Sequence, residues 1–291
     1  MPTEPAQLYL ALFEFALLLG GVGLLIKLSA PSDRSYWLGS NRLPHWPITP
    51  YECVAFIGII FLTGFSAQLA LQLALGKMIA GAADHEALQA CVYGFGFQGG
   101  GIAGWLIFRS MQKRWYADYG ASAPVASNTG QAGPSIAQSL RHGAVTLLVA
   151  LPIVTLVSIG WNGLLHALGM PEEPQALIGI LANTQSPWVI AGLLFVACVL
   201  APLNEELIFR SGVYRFLRQR GGRGFAVVLS GAMFGAMHFN WAGFLPLAVL
   251  GGVLALAYEA TGDIRVPIIG HALFNLNTVL IVLSGLSEFG Q

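Results

Sequence analysis

The sequence predicts an all-α fold, a polytopic membrane protein of about eight transmembrane helices. Three observations carry that prediction. Hydrophobic residues make up 55% of the chain and charged ones 10%, with a mean hydropathy of +0.67, whereas a soluble domain carries about 25% charged residues. Apolar windows long enough to cross a bilayer, about 17 to 25 residues, recur near 7–28, 51–75, 88–108, 143–168, 187–209, 224–241, 243–260 and 266–286. With the N-terminus outside, every Lys and Arg except Lys77 falls on the cytoplasmic side, the bias the positive-inside rule expects. Net charge is zero, and nothing in the chain points to nucleic acid.

The first window is a retained span and not a cleaved signal. Met1 to Gln7 hold no Lys or Arg, the apolar stretch that follows is too long, and Glu14 interrupts it. The second window carries Gln68 and Gln72, polar groups suited to holding helices together, as is Gln98 in the third. The third is the weakest helix, because Gly94, Gly96, Gly99, Gly100, Gly101 and Gly104 lower its propensity. Those same glycines allow close helix approach and mark a packing face. A linker rich in Ala, Ser, Gly, Pro and Asn follows, so the chain divides into a three-span region (1–111), a cytoplasmic linker (112–140) and a five-span region (141–291). The fourth window has Trp161 at one end. Trp188 and Trp241 lie at the matching ends of the fifth and seventh, as an outer aromatic belt would. Gly221-Gly222 reads as the turn between the fifth and sixth windows. Cys53, Cys91 and Cys198 are scattered through apolar segments without C-x-x-C spacing and read as small hydrophobes. Both termini fall outside.

The fifth window ends in Glu205 and Glu206 after a run free of charge from Pro187. Carboxylates at membrane depth cost about 2.5 to 3.5 kcal/mol even on lenient scales and are rarely idle. Glu206 and Arg210 are spaced i, i+4, acid before base, the favourable order. Glu205 lies about 100° around the helix without such a partner. An unpaired carboxylate in a low-dielectric setting suits general acid–base work near neutral pH. His238 stands as far after Gly222 as Glu205 stands before Gly221, so an antiparallel hairpin puts the two at matching depth. His271 and Asn275, again i, i+4, share one face of the last span. His271 lies about 9 Å past Arg265 and Glu205 more than about 20 Å from Gly221. These levels agree only if the arginine-rich tip from Tyr214 to Gly224 projects into the cytoplasm.

The remaining polar groups have simpler readings. Glu14, Glu52 and Glu259 fit snorkelling or helix packing. His45, His85, His142 and His166 fall in loops or at interfaces, and Glu172-Glu173 in an outer loop, all solvated. Glu205, His238, His271 and Asn275 together need a reason for being buried, and that reason is chemistry.

Three patterns, E-E-x-x-x-R at Glu205–Arg210, F-x-x-x-H at Phe234–His238 and H-x-x-x-N at His271–Asn275, occur in this order within spans. They resemble the CPBP (Abi) family of CAAX-prenyl-protease-like intramembrane endopeptidases and their bacteriocin-processing or immunity relatives. The approach from Tyr258 to Pro267 is similar too, and the resemblance runs from about Ser186 to Ser284. Ser211 departs from it, standing where the family commonly has glycine, with Gly212 next. The resemblance implies a C-terminal catalytic helical core in which Glu205 activates a water that His238 also holds. His271 and Asn275 would stabilise the oxyanion, with Glu206 and Arg210 in support. It implies no required cofactor. The zinc alternative is Glu205, His238 and His271 plus water, without an H-E-x-x-H motif. The expected partners are membrane lipid and a peptide or protein substrate, lipidated or membrane-embedded, and the expected location is the bacterial inner membrane. A non-catalytic scaffold or immunity protein of the same fold, or a proton-coupled transporter, would also bury such groups.

Overall fold

The computed structural model describes residues 4–30, 42, 43, 46, 48–118, 134–170 and 176–284. His45, Arg34, Glu172-Glu173 and the middle of the 112–140 linker lie outside the described residues. The described chain is helical, and among these residues there is no strand. Helix α1 spans Glu4–Leu28, α2 Pro50–Ile79, α3 His85–Asp118, α4 Ile136–Ala167 and the short α5 Ala176–Asn183. The next run, Pro187–Ala236, reads as one long candidate span, which makes seven in all. Gly222, at φ 79° and ψ 177°, breaks it into α6 (187–221) and α7 (223–236), because that backbone conformation is open to glycine and strained for other residues. Helix α8 spans Trp241–Thr261 and α9 Arg265–Leu283. All eight predicted apolar segments are therefore present, and this is an integral membrane protein. The sixth is the shortest, rising about 21 Å at 1.5 Å per residue.

Local sequence sets several helix ends. Thr49-Pro50-Tyr51-Glu52 is a capping box: Thr49 Oγ1 accepts from the Glu52 backbone N–H, and Glu52 Oε2 accepts from the Thr49 N–H at 2.7 Å. Ser135 and Gln138 repeat it at the start of α4. The described ends of the 112–140 segment are thus helical, α3 running to Asp118 and α4 starting at Ile136. Glu52 serves as a cap, and Glu14 accepts from Asn277 Nδ2 at 3.1 Å across to α9. Both are packing roles, as expected. The C-terminal end of α4 and the N-terminal end of α8 are tied by Trp161 Nε1 donating to the Trp241 carbonyl. His85 and His166 are exposed as expected, whereas His142 is half-buried.

The glycines of α3 form the packing face that the sequence suggests. Gly96, Gly100 and Gly104, one per turn, lie against the α2 backbone; a Cβ on Gly100 would stand 2.5 Å from the Thr63 carbonyl oxygen. The opposite side of α3 reaches α6 through Gly94 and Gly101. Phe56 of α2 and Phe108 of α3 meet edge-on at 5.2 Å. They join Ile208, Phe209, Val213, Phe234, Leu250 and Leu254 in one core, so the second and third spans back onto the helices that carry the polar residues.

The arginine-rich tip is clamped and does not project freely. Glu259, 1% exposed near the end of α8, takes Arg218 at 3.0 Å and Arg223 at 2.8 Å, and the Tyr214 hydroxyl donates to the same carboxylate. The Arg215 guanidinium stacks on Trp46, and Arg220 Nη2 donates to the Ile48 carbonyl. Helix α8 thus runs down alongside the tip to its level. In the adjoining turn, burial alone would push the Asp263 carboxyl up. Hydrogen bonds from Arg265 and Ser139 outweigh that and hold it below the usual carboxylate range.

Candidate active site

Two π-helical turns, Val196–Leu200 and Phe209–Tyr214, bracket the stretch Ala201–Ile208 that carries Glu205 and Glu206. Such turns often sit at functional sites, and Pro202 gives the first a physical cause. The Ala201 N–H bonds the Val196 carbonyl, so the next carbonyl, Ala197, would look to residue 202, which has no N–H. Asn275 of α9 supplies it instead, its Nδ2 donating to the Ala197 carbonyl at 2.8 Å. One N–H of the Asn275 amide is thereby fixed.

Glu206 is fully buried and meets two groups. Arg210 Nη1 stands 3.0 Å from its Oε1, and His271 Nδ1 stands 2.9 Å from the same oxygen. Arg210, 1% exposed, also donates from Nη2 to the Gly251 carbonyl of α8 and lies 4.6 Å over the Phe234 ring. The expected Glu206–Arg210 pair is thus present, and the orientation of His271 hangs on it. Ser211, the departure from the family pattern, donates to the Leu207 carbonyl and faces Trp105 Nε1. Gly212 is the tight position, where a Cβ would stand 2.7 Å from Phe56 Cζ.

His238 closes the end of α7. Its Nδ1 lies 2.8 Å from the Phe234 carbonyl, four residues back, one of the acceptors left over where a helix ends. A carbonyl only accepts, so Nδ1 carries the hydrogen and Nε2 is the free nitrogen. The hairpin register follows the count about Gly221-Gly222: Phe209 and Phe234 meet edge-on at 5.3 Å. The Phe234 ring also contacts His238 at 5.0 Å and His271 at 5.5 Å, making a common floor under both imidazoles.

Glu205, His238, His271 and Asn275 line one cavity of about 350 Å³. Glu205 is 20% exposed, with Oε2 3.9 Å from His271 Nε2. Among the described residues that oxygen has no hydrogen-bond partner. The same cavity is lined by Leu181, Leu193, Leu194, Val279 and Val282, so most of its remaining wall is apolar. As for zinc, no three His, Cys, Asp or Glu side chains among the described residues stand close enough to hold a metal ion. Glu205, His238 and His271 as placed do not form that set.

Comparison with known proteins bears on the same stretch. Residues 187–277 match the family described as Type II CAAX prenyl endopeptidase Rce1-like. The match is confined to this stretch of the chain. It runs from α6 into α9 and holds Glu205, His238, His271 and Asn275 with Glu206 and Arg210. The chain is also 26% identical over 161 residues to a Bacillus subtilis (strain 168) protein named "Putative membrane peptidase YdiL", covering 52% of this chain and 65% of that one. It is 31% identical over 137 residues to an "Uncharacterized 24.3 kDa protein" of Escherichia coli, covering 45% and 61%. The chain thus spans a little under two thirds of each relative. No solved structure matches the chain.

Some groups around the matched stretch were not singled out from sequence. The Ala197 carbonyl was detectable through Pro202. Gln98 reads from sequence as a helix-packing group, but its partner Asn204, which donates to it at 2.7 Å, had no periodic signal to reveal it, since the two lie on helices far apart in the chain.

Proposed function

We propose that this protein is an intramembrane endopeptidase that hydrolyses a peptide bond of a membrane-associated substrate. The observation that carries this reading is that Glu205, His238, His271 and Asn275 line one cavity while the last three are each anchored from behind. Glu205 accepts a proton from a water that also donates to His238 Nε2, and the water oxygen bonds to the substrate carbonyl carbon. The oxyanion formed is met by His271 Nε2–H and the second N–H of Asn275. Glu205 then passes its proton to the departing amide nitrogen as the C–N bond breaks, leaving an acid and an amine. With Glu206 and Arg210 paired, one proton shared between Glu205 and His271 leaves the whole buried group neutral, which suits a low-dielectric site. The apolar lining of the cavity favours a lipidated or membrane-embedded chain: a prenylated tail, a leader peptide or a sorting segment.

The mechanism proposed is metal-free. Purified protein is expected to cleave quenched-fluorescent peptides, with or without a farnesylated cysteine, and to keep its rate after exhaustive chelation. Loss of rate that zinc restores would overturn the metal-free mechanism. Proton flux in liposomes without any cleavage would overturn the peptidase reading. We place the protein in a bacterial inner membrane with both termini outside, on the strength of the Lys/Arg asymmetry. A reporter fused at Gln291 is expected to read external, and a cytoplasmic signal would reverse the orientation.

A further inference from the structure

We propose that Gln98, on the third span and outside the matched stretch, binds the substrate directly. Its side-chain N–H donates to a backbone carbonyl of a peptide lying between α3 and α9, and Asn204 is the positioning residue that aims it. This rests on the peptidase reading above.

The cavity-facing stripe of α3 is Ala90, Gly94 and Gln98, one residue per turn. Two small residues leave room, and the third brings the only polar side chain of that stripe. Asn204, fully buried beside Glu205, donates from Nδ2 to Gln98 Oε1 at 2.7 Å. With its oxygen held there, the Gln98 amide turns its N–H groups away from Asn204. Gly101 leaves Asn204 the room it occupies, since a Cβ there would stand 2.5 Å from Asn204 Oδ1. A pair serving only to hold helices together would need no cavity, yet Gln98 lines this one. On the facing wall Asn275 keeps its second N–H, and the small residues Ala197 and Ala201 lie on the α6 wall of the same cavity.

The chemistry of the substrate calls for such a donor. A peptide segment drawn away from water must have its backbone carbonyls satisfied by protein groups. His271 and Asn275 serve the carbonyl under attack, and a neighbouring one needs its own partner. Gln98 is that partner, so the N-terminal spans complete the substrate site of the C-terminal ones.

The test uses the purified full chain and quenched-fluorescent peptides with and without a farnesylated cysteine. Gln98→Leu is expected to raise KM roughly two- to ten-fold, one neutral hydrogen bond, with kcat within about two-fold. Asn204→Ser is expected to give a smaller rise of the same kind. Within a series of peptides whose carbonyls are reduced one at a time to methylene, one is expected to lose the same factor against wild type and nothing further against Gln98→Leu. If Gln98→Leu melts early, Gln98→Met carries the same readout. An unchanged KM, or a fall in kcat and melting temperature with KM unmoved, makes Gln98 a packing residue and overturns this inference alone. Wild type failing on every peptide withdraws this inference together with the peptidase reading.

Discussion

Glu205→Gln is expected to lower peptide hydrolysis by about 10²- to 10⁴-fold, the contribution of a positioned general base, while leaving the fold as stable as before or more so. The asymmetry follows from its surroundings. Glu205 is 20% exposed, its Oε2 has no hydrogen-bond partner among the described residues, and His271 Nε2 stands 3.9 Å away. Glutamine keeps the shape and breaks no hydrogen bond of Oε2, so its effect on unfolding should stay within about 0.5 kcal/mol. Parallel measurement of peptide turnover and thermal melting checks both halves. A Glu205→Gln protein that is folded and cleaves at the wild-type rate would move the general base elsewhere. One that keeps its full role in cells without cleaving would favour a scaffold. The inactive variant is also the means of finding the substrate, because a bound chain that cannot be cut should co-purify.

The sequence revealed the site better than its supports, for physical reasons. Charged and polar residues inside apolar runs stand out, so Glu205, Glu206, Arg210, His238, His271 and Asn275 could be named. Their i, i+4 spacings and the count about Gly221-Gly222 supplied faces and depth, and the Phe209–Phe234 contact shows the same hairpin register. Capping boxes at Thr49 and Ser135 follow from local pattern. Contacts between distant helices carry no such pattern. That Glu206 holds His271 as well as Arg210, that Glu259 gathers Arg218, Arg223 and Tyr214, and that Asn204 meets Gln98 all depend on three-dimensional packing. The arginine-rich tip shows the limit most clearly. Five arginines in a short stretch suggest a solvated loop, and a single buried carboxylate from another helix turns it into a clamp.

Glu206 is where that hidden packing should have its largest effect on stability. Its carboxylate is the counter-charge of a fully buried arginine and the anchor of His271 Nδ1 at once. Glu206→Leu leaves the Arg210 charge buried without its partner, and breaking a buried pair in this way costs about 3 to 5 kcal/mol. Arg210→Leu should cost a similar amount by leaving Glu206 charged in the same dry place. Removing both charges avoids the uncompensated one, so the double variant Glu206→Leu/Arg210→Leu is expected to melt higher than either single variant. Activity should not follow stability. The double variant still lacks the acceptor that fixes His271, leaving that ring free to turn away from Glu205 and the cavity. Losing one oxyanion donor lowers kcat by about 10²- to 10³-fold. Melting temperature restored with kcat still low is therefore the expected result. Recovery of both together would reduce Glu206 to a partner of Arg210 alone, and recovery of neither would mean that the pair is needed for the hairpin to close at all.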